Sequence, residues 1–242
     1  MASIKVKGLI IQENNFGDFD KMLTILTPNL GKITVVAKGA RRIKSALLAG
    51  SQLFCFGEYL LFKGKGTYSL NSVEIIELFY NMRVDLEKLQ YGVHILKILN
   101  DITDENQNTF YILKLVLNTL YVLSEEERDK DLVLSTFKLR TLKTLGYMPQ
   151  IHKCNICGIL ENLNFFSINN SGYICKECKK KDISGITMSE GTKNAITYIL
   201  RSTDKRVHLF NLEKDLVKEL NLIVKIYFNT KLEKEYVLDK LL

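Results

Sequence analysis

The 242-residue chain has little of what most catalytic sites are built from. Its three histidines, His94, His152 and His208, stand apart, and none has an evident carboxylate or nucleophile beside it. No phosphate-cradling G-x-x-x-x-G-K-[ST] loop, no G-x-G-x-x-G after a strand and no G-x-S-x-G elbow occurs. Glu125, Glu126 and Glu127 form a solvated helix-end run rather than a metal site. These absences lead to the expectation that the chain is not an enzyme. The N-terminal "MASIKVKGLIIQENNFGDFD" lacks the apolar core and cleavage site of a signal peptide. No uncharged apolar run approaches the roughly 18 residues that suggest a membrane span. A cytoplasmic protein is therefore expected, and in that compartment disulfides are rare.

Cysteine is scarce as well, five in all, yet four fall in two tight pairs, Cys154–Cys157 and Cys175–Cys178. A disulfide clip, a redox dithiol and a metal site compete to explain them. The reducing compartment disfavours the clip, and a redox C-x-x-C belongs beside a βαβ unit that is absent here. The spacing C-x2-C-x17-C-x2-C is that of a zinc site. Each pair can wrap a knuckle aiming two thiolates at one point, and two knuckles complete a tetrahedron with Zn–S of about 2.3 Å. "FFSI" (165–168), "NNSG" (169–172) and "YIC" (173–175) read as a hairpin that brings the pairs together, and Gly158 gives the first knuckle backbone freedom. One structural Zn2+ is expected on Cys154, Cys157, Cys175 and Cys178, with His152 exposed rather than ligating. Four thiolates leave no open position for a catalytic water. The zinc-deaminase pattern is also missing, with Lys153 where its proline would stand.

What is present in quantity is β-type patterning, then helical periodicity. "IKVKGLII" (4–11) alternates with lysines on one face. Residues 21–39 hold two β-rich runs joined through Pro28 and Gly31, and 53–76 holds another pair turning at Gly64-Lys65-Gly66. Five strands with short turns suit a small closed barrel, the OB-fold. Beyond residue 80 apolar residues recur at helical spacing over 84–102, 107–123 and from Asp131 to about Leu142, where "LGYMP" (145–149) stops the run. Further helices are expected over about 190–201 and 211–229. The expected fold is α+β and multidomain. An N-terminal five-stranded OB-fold barrel (1–80) precedes an α-helical domain (81–242) carrying a four-cysteine, zinc-ribbon-like insert at about 151–185.

Net charge is +7, and residues 1–80 carry ten Lys/Arg against six Asp/Glu. That concentration suggests a polyanion surface on the barrel. The sharpest candidate is "AKGARRIKS" (37–45), where Lys38, Arg41, Arg42 and Lys44 follow an apolar strand. Arginine suits phosphate because its planar fork donates two parallel hydrogen bonds. Among nearby aromatics, Phe54, Phe56 and Phe62 share one parity and are expected inside the barrel. Tyr59 and Tyr68 are then the candidates for exposed base stacking.

Taken together, "GDFDKMLTILTPNLGKITVVAKGARRIKS" (17–45), "FKLRTLKTLGYMP" (137–149), "CNICG" (154–158), "GYICKEC" (172–178) and "KIYFNTKLEKEYVL" (225–238) resemble the RecO family of bacterial recombination mediators over nearly the whole chain. The resemblance implies an OB domain, a helical domain with the zinc motif, and binding of single- and double-stranded DNA with annealing of complementary strands. It implies partnership with RecR and the C-terminal tail of single-strand-binding protein, indirect service to RecA, a nucleoid-associated location and no ATP hydrolysis. DNA binding carries over onto Lys38, Arg41, Arg42 and Lys44, with Lys32 and Lys63 as outlying neighbours. The alternative is an RNA-binding or transcription-associated factor, which would also use an OB barrel and a zinc ribbon.

Overall fold

The computed structural model describes residues 3–64 and 66–238; Lys65, centre of the expected 64–66 turn, lies outside them. Five strands are laid down first: β1 (Ser3–Phe16), β2 (Asp20–Thr27), β3 (Gly31–Ala37), β4 (Phe56–Lys63) and β5 (Tyr68–Glu77). They close in the order β1-β2-β3-β5-β4, with β4 returning to β1. β1 serves two neighbours, pairing with β4 over Ser3–Leu9 and with β2 over Leu9–Phe16, and its register shifts between Ile10 and Gln12. Such an irregularity bends a strand, which lets one strand border both sides of a closed barrel. The connection from β4 back through β5 makes a short parallel pairing with β3 at Val35–Tyr68 and Val36–Ser69. This is the expected OB-fold barrel, a five-stranded Greek key.

β3 and β4 alternate and bury one face, whereas β1 buries both faces over residues 8–11 and β2 over residues 25–27; Ile10, Leu23, Ile25, Ile33, Val35, Leu61 and Leu70 meet in the interior. The interior face of β4 is the opposite of the one expected. Gly57, Tyr59 and Leu61 point inward, whereas Phe56 and Phe62 are half-buried on the outer face. Tyr59 is fully buried in the barrel core rather than exposed, and its hydroxyl donates to Cys55 O at 3.1 Å. That internal bond satisfies the one polar atom a buried tyrosine brings, and burial pushes its pKa far above the usual phenol range. Phe54 is buried outside this cluster, its ring close to helix α2 (Leu86–Ile102), where a Cβ on Gly92 would lie 2.9 Å away. Tyr68 is half-buried against the barrel cluster.

The chain divides into two compact units, one comprising the residues up to Glu125 together with Leu238 and the other spanning Glu126–Val237. The first adds α1 (Asn81–Val84), α2 and α3 (Phe110–Glu125) to the barrel. Asp85 caps α2 by accepting from Lys88 N at 2.9 Å. The α2–α3 connection is stitched to the β2–β3 turn: Lys32 N donates to Asp104 O (3.1 Å), Asn106 N to Leu30 O (2.8 Å) and Thr109 N to Pro28 O (2.9 Å). Gly31 sits at that turn with φ +66, its Cα facing the Asp104 carbonyl.

In the second unit α4 (Lys130–Thr144), capped by Asp129, packs with α6 (Glu190–Arg201) and α7 (Lys214–Leu232). Every α4 residue from Leu132 to Leu142 is buried. Two of its cations meet partners at one end of α6. Arg140 pairs with Asp204 and donates to Ser202 O (2.9 Å), and Lys143 donates to Leu200 O (2.6 Å), so both charges meet the carbonyl end of α6. Between α4 and α6 lies the cysteine segment, a small sheet of order β7-β6-β8 formed by β6 (Phe165–Ser167), β7 (Gly172–Ile174) and β8 (Gly185–Thr187), with a short helix α5 (Lys176–Lys179). No helix among the described residues is long and apolar enough to cross a membrane.

Candidate metal centre and nucleic-acid interface

The β6–β7 hairpin is the one expected from "FFSINNSGYIC", with Phe165 opposite Ile174 and Ser167 opposite Gly172. It carries Cys175 to the N-terminus of α5, where Lys179 N donates to Cys175 O at 3.0 Å and Cys178 follows one turn on. The first knuckle is closed by Gly158 N to Cys154 O (2.9 Å) and Cys154 N to Ile159 O (2.7 Å), and Asn155 N to Tyr173 O (2.8 Å) docks it on β7. The four sulfurs of Cys154, Cys157, Cys175 and Cys178 therefore lie within 4.8 Å of one another. Cys157 and Cys175 Sγ are 3.7 Å apart; a tetrahedron with metal–sulfur bonds of about 2.3 Å has edges of about 3.8 Å. The donor set fits one metal ion.

The electrostatics point the same way. Burial raises the Cys154 thiol, but backbone N–H groups of Cys157, Cys175 and Ile156 outweigh it and hold the group down at about 6. Cys178 is pushed up to about 12 by burial, by hydrogen bonding with the other three sulfurs and by the charge of Cys154. Four sulfurs this close cannot all carry charge without a cation among them. His152 is exposed, its Nδ1 accepting from the Arg201 guanidinium at 2.6 Å, and stands outside the tetrathiolate.

Asp182, which no sequence pattern singles out, fixes the return of the chain to β8. Its carboxylate accepts from Ser184 N (2.8 Å), Ser184 Oγ (2.6 Å), Asn170 Nδ2 (2.9 Å) and Ser167 Oγ. Burial opposes its ionisation, but these donors hold it at about 2. Beneath the sheet, Phe166 lies edge-on to Tyr227 of α7 at 5.1 Å and to Tyr173 at 6.2 Å, and the Tyr173 hydroxyl donates to Lys193 O at 3.0 Å. The centre of the segment is thus held by aromatic packing, and its two rims by the cysteines.

On the barrel, Lys38, Arg41, Arg42 and Lys44 are all exposed on the loop leaving β3. The loop is seated against the β1–β2 turn: Gly39 N donates to Asp20 Oδ1 (2.7 Å), Arg41 N to Phe19 O (2.9 Å) and the Arg41 guanidinium to Asp18 O (3.2 Å). No carboxylate pairs with any of the four cations among the described residues. The two outlying lysines are placed elsewhere. Lys32 is half-buried at the other end of β3, its ammonium donating to Asn100 O at 2.6 Å, and Lys63 is exposed at the end of β4.

An OB-type barrel bearing a seated basic loop, joined in one chain to helices that carry a four-cysteine cluster, defines the class of protein. Family models described as the N terminal and C terminal of recombination protein O match residues 1–79 and 83–238. The chain belongs to the RecO family of DNA repair proteins. It is 40% identical to the DNA repair protein RecO of Acetivibrio thermocellus over 238 residues, 98% of this chain and 94% of that one. It is 33% identical to that of Alkaliphilus metalliredigens (96% and 94% covered) and 31% identical to that of a Thermoanaerobacter species (98% and 95% covered).

Proposed function

We propose that this chain binds DNA through the loop Lys38–Lys44 and anneals complementary strands as a recombination mediator. In this role it works with RecR and the single-strand-binding protein tail to help load RecA, without a catalytic step of its own. The observation that carries the reading is the seated loop: four cations with no carboxylate on them among the described residues, held by bonds to a neighbouring turn, so that little order has to be imposed on binding. Membership of the family favours DNA over the RNA-binding alternative. The metal in this reading is one structural zinc, because four sulfur donors and no oxygen suit a soft, tetrahedral ion.

The test is the salt dependence of single-strand binding. Removing one phosphate interaction should flatten the slope of log affinity against log salt by about 0.7. Replacing Arg41 and Arg42 together by glutamine should therefore reduce it by about 1.4, with similar weakening for every sequence because phosphates carry no base information. An unchanged slope would move the DNA site off this loop. Annealing should proceed without nucleotide, and a requirement for ATP would refute the non-catalytic part.

A further inference from the structure

The β1–β2 turn that seats the basic loop has a feature the loop does not need. Residues 14–19 are all exposed, and the tip carries two bare aromatic rings, Phe16 and Phe19, at 48% and 51% exposure. A phenylalanine at a hairpin tip is commonly a bystander. Phe19 is more constrained than that. Its carbonyl receives Arg41 N, and the carbonyl of Asp18 before it receives the Arg41 guanidinium. The carboxylate of Asp20 after it receives Gly39 N at 2.7 Å. The ring itself lies under the Arg42 guanidinium, 5.4 Å from its centroid. Three consecutive residues thus tie the segment that carries the ring to the loop, Arg42 lies over the ring, and about half of Phe19 remains open to solvent.

We propose that Phe19 is a stacking platform for one unpaired nucleobase of single-stranded DNA, with the Arg42 guanidinium backing the ring while it joins Lys38, Arg41 and Lys44 in holding the adjoining phosphates. The chemistry is general: any base has a π-face, aromatic rings accept it without reading sequence, and a flat guanidinium adds to the stack. The β1–β2 loop is also one of the places where this barrel type meets oligonucleotides. The consequence is selectivity. Phosphate contacts alone accept either form of DNA, but in a duplex the bases are already stacked on one another. The proposal rests on the DNA reading of the loop given above, and it assigns strand discrimination to a residue outside that loop.

The chain has no tryptophan, so Phe19→Trp installs a single fluorescent reporter at the platform. Oligo-dT should quench it, while a DNA duplex and heparin at equal charge should not. Phe19→Ala should weaken oligo-dT binding by about fivefold or more, the lower end of what one stacked base contributes. Duplex affinity and the single-strand salt slope should stay unchanged. Phe19→Leu, which keeps apolar volume but has no ring, should lose as much as Phe19→Ala. Retained affinity in Phe19→Leu, or equal quenching by duplex and heparin, overturns the proposal. Failure of the loop reading looks different: the salt slope stays constant when Arg41 and Arg42 are replaced, whether or not oligo-dT quenches the reporter.

Discussion

Replacing Gly31 by alanine tests whether the α2–α3 connection belongs to the barrel it is bonded to. Gly31 has φ +66, and a Cβ built there falls 1.9 Å from Asp104 O and 3.0 Å from Gln107 N. The left-handed conformation alone costs a residue with a Cβ about 1–2 kcal/mol. The clash must also push Asp104–Gln107 away, breaking Lys32 N to Asp104 O and Asn106 N to Leu30 O, at about 1 kcal/mol for each bond. The total destabilisation expected is about 3–4 kcal/mol. Gly17 supplies the control, because it has φ +56 with nothing within 4 Å of its Cβ position, so alanine there should cost only the conformational part. Urea unfolding reads the difference. At a slope of about 2 kcal/mol/M, Gly31→Ala should unfold about 1 M below Gly17→Ala. Midpoints that coincide within about 0.2 M would mean that residues 103–107 yield freely, and that the hydrogen bonds between turn and helices contribute nothing to holding the unit together.

Two further outcomes follow from the second unit. His208 is buried, and burial, opposed by Glu126 and reinforced by Arg128 and Arg140, holds its imidazole at about 4. The unfolded chain takes up this proton near pH 6.5, so stability should be full above that value and fall as pH drops towards 4, by about 3 kcal/mol in all. His208→Gln should remove that step from the pH profile of the melting temperature, and an unaltered profile would refute the assignment. Elemental analysis should find about one zinc per chain. Chelation or Cys175→Ser should raise hydrogen exchange over residues 152–160 and 175–183 while β6 and β7 stay protected by Phe166 and Tyr173. Unchanged exchange at both rims would show that the metal does not hold them.

The strands and helices legible in the sequence are those whose burial is periodic. "IKVKGLII" alternates over residues 4–7, where one face of β1 is covered, but the strand continues through residues 12–16, where backbone pairing and the Lys21–Glu13 ion pair join it to β2 and no apolar pattern marks it. β8 has three residues, too short for any period. α4 is legible as a helix but not as a central one, since polar Ser135, Thr136 and Arg140 are buried beside its leucines. Side-chain size misleads about the inward face of β4. In this narrow barrel a tyrosine with an internal acceptor and a glycine face inward, and the phenylalanines cover the outside. The four-cysteine cluster is readable in full because its spacing is local. Asp182 and the seating of the basic loop are not, because each depends on donors or acceptors distant in sequence, such as Ser167 and Asp20. The change of period near residue 80 marks where strands give way to helices; the packing boundary at Glu125 is set by cross-bonds such as Lys32 to Asn100, which no periodicity carries.

The β3–β5 seam gives the barrel a direction of compliance. Among the described residues its other seams each join seven or eight residue pairs, and this one joins two. Local opening follows the fewest bonds, so strain on the barrel wall is relieved along Val35–Val36 before anywhere else. The basic loop begins two residues beyond Val36, while Ala37 stays paired with Lys21 on the other side of β3. A load applied to the loop, such as tension from a bound strand, is therefore delivered next to the weakest line of the wall. Because Val35 is itself a core residue and Tyr68 packs against that core, interior packing as well as the two ladder pairs resists a parting there.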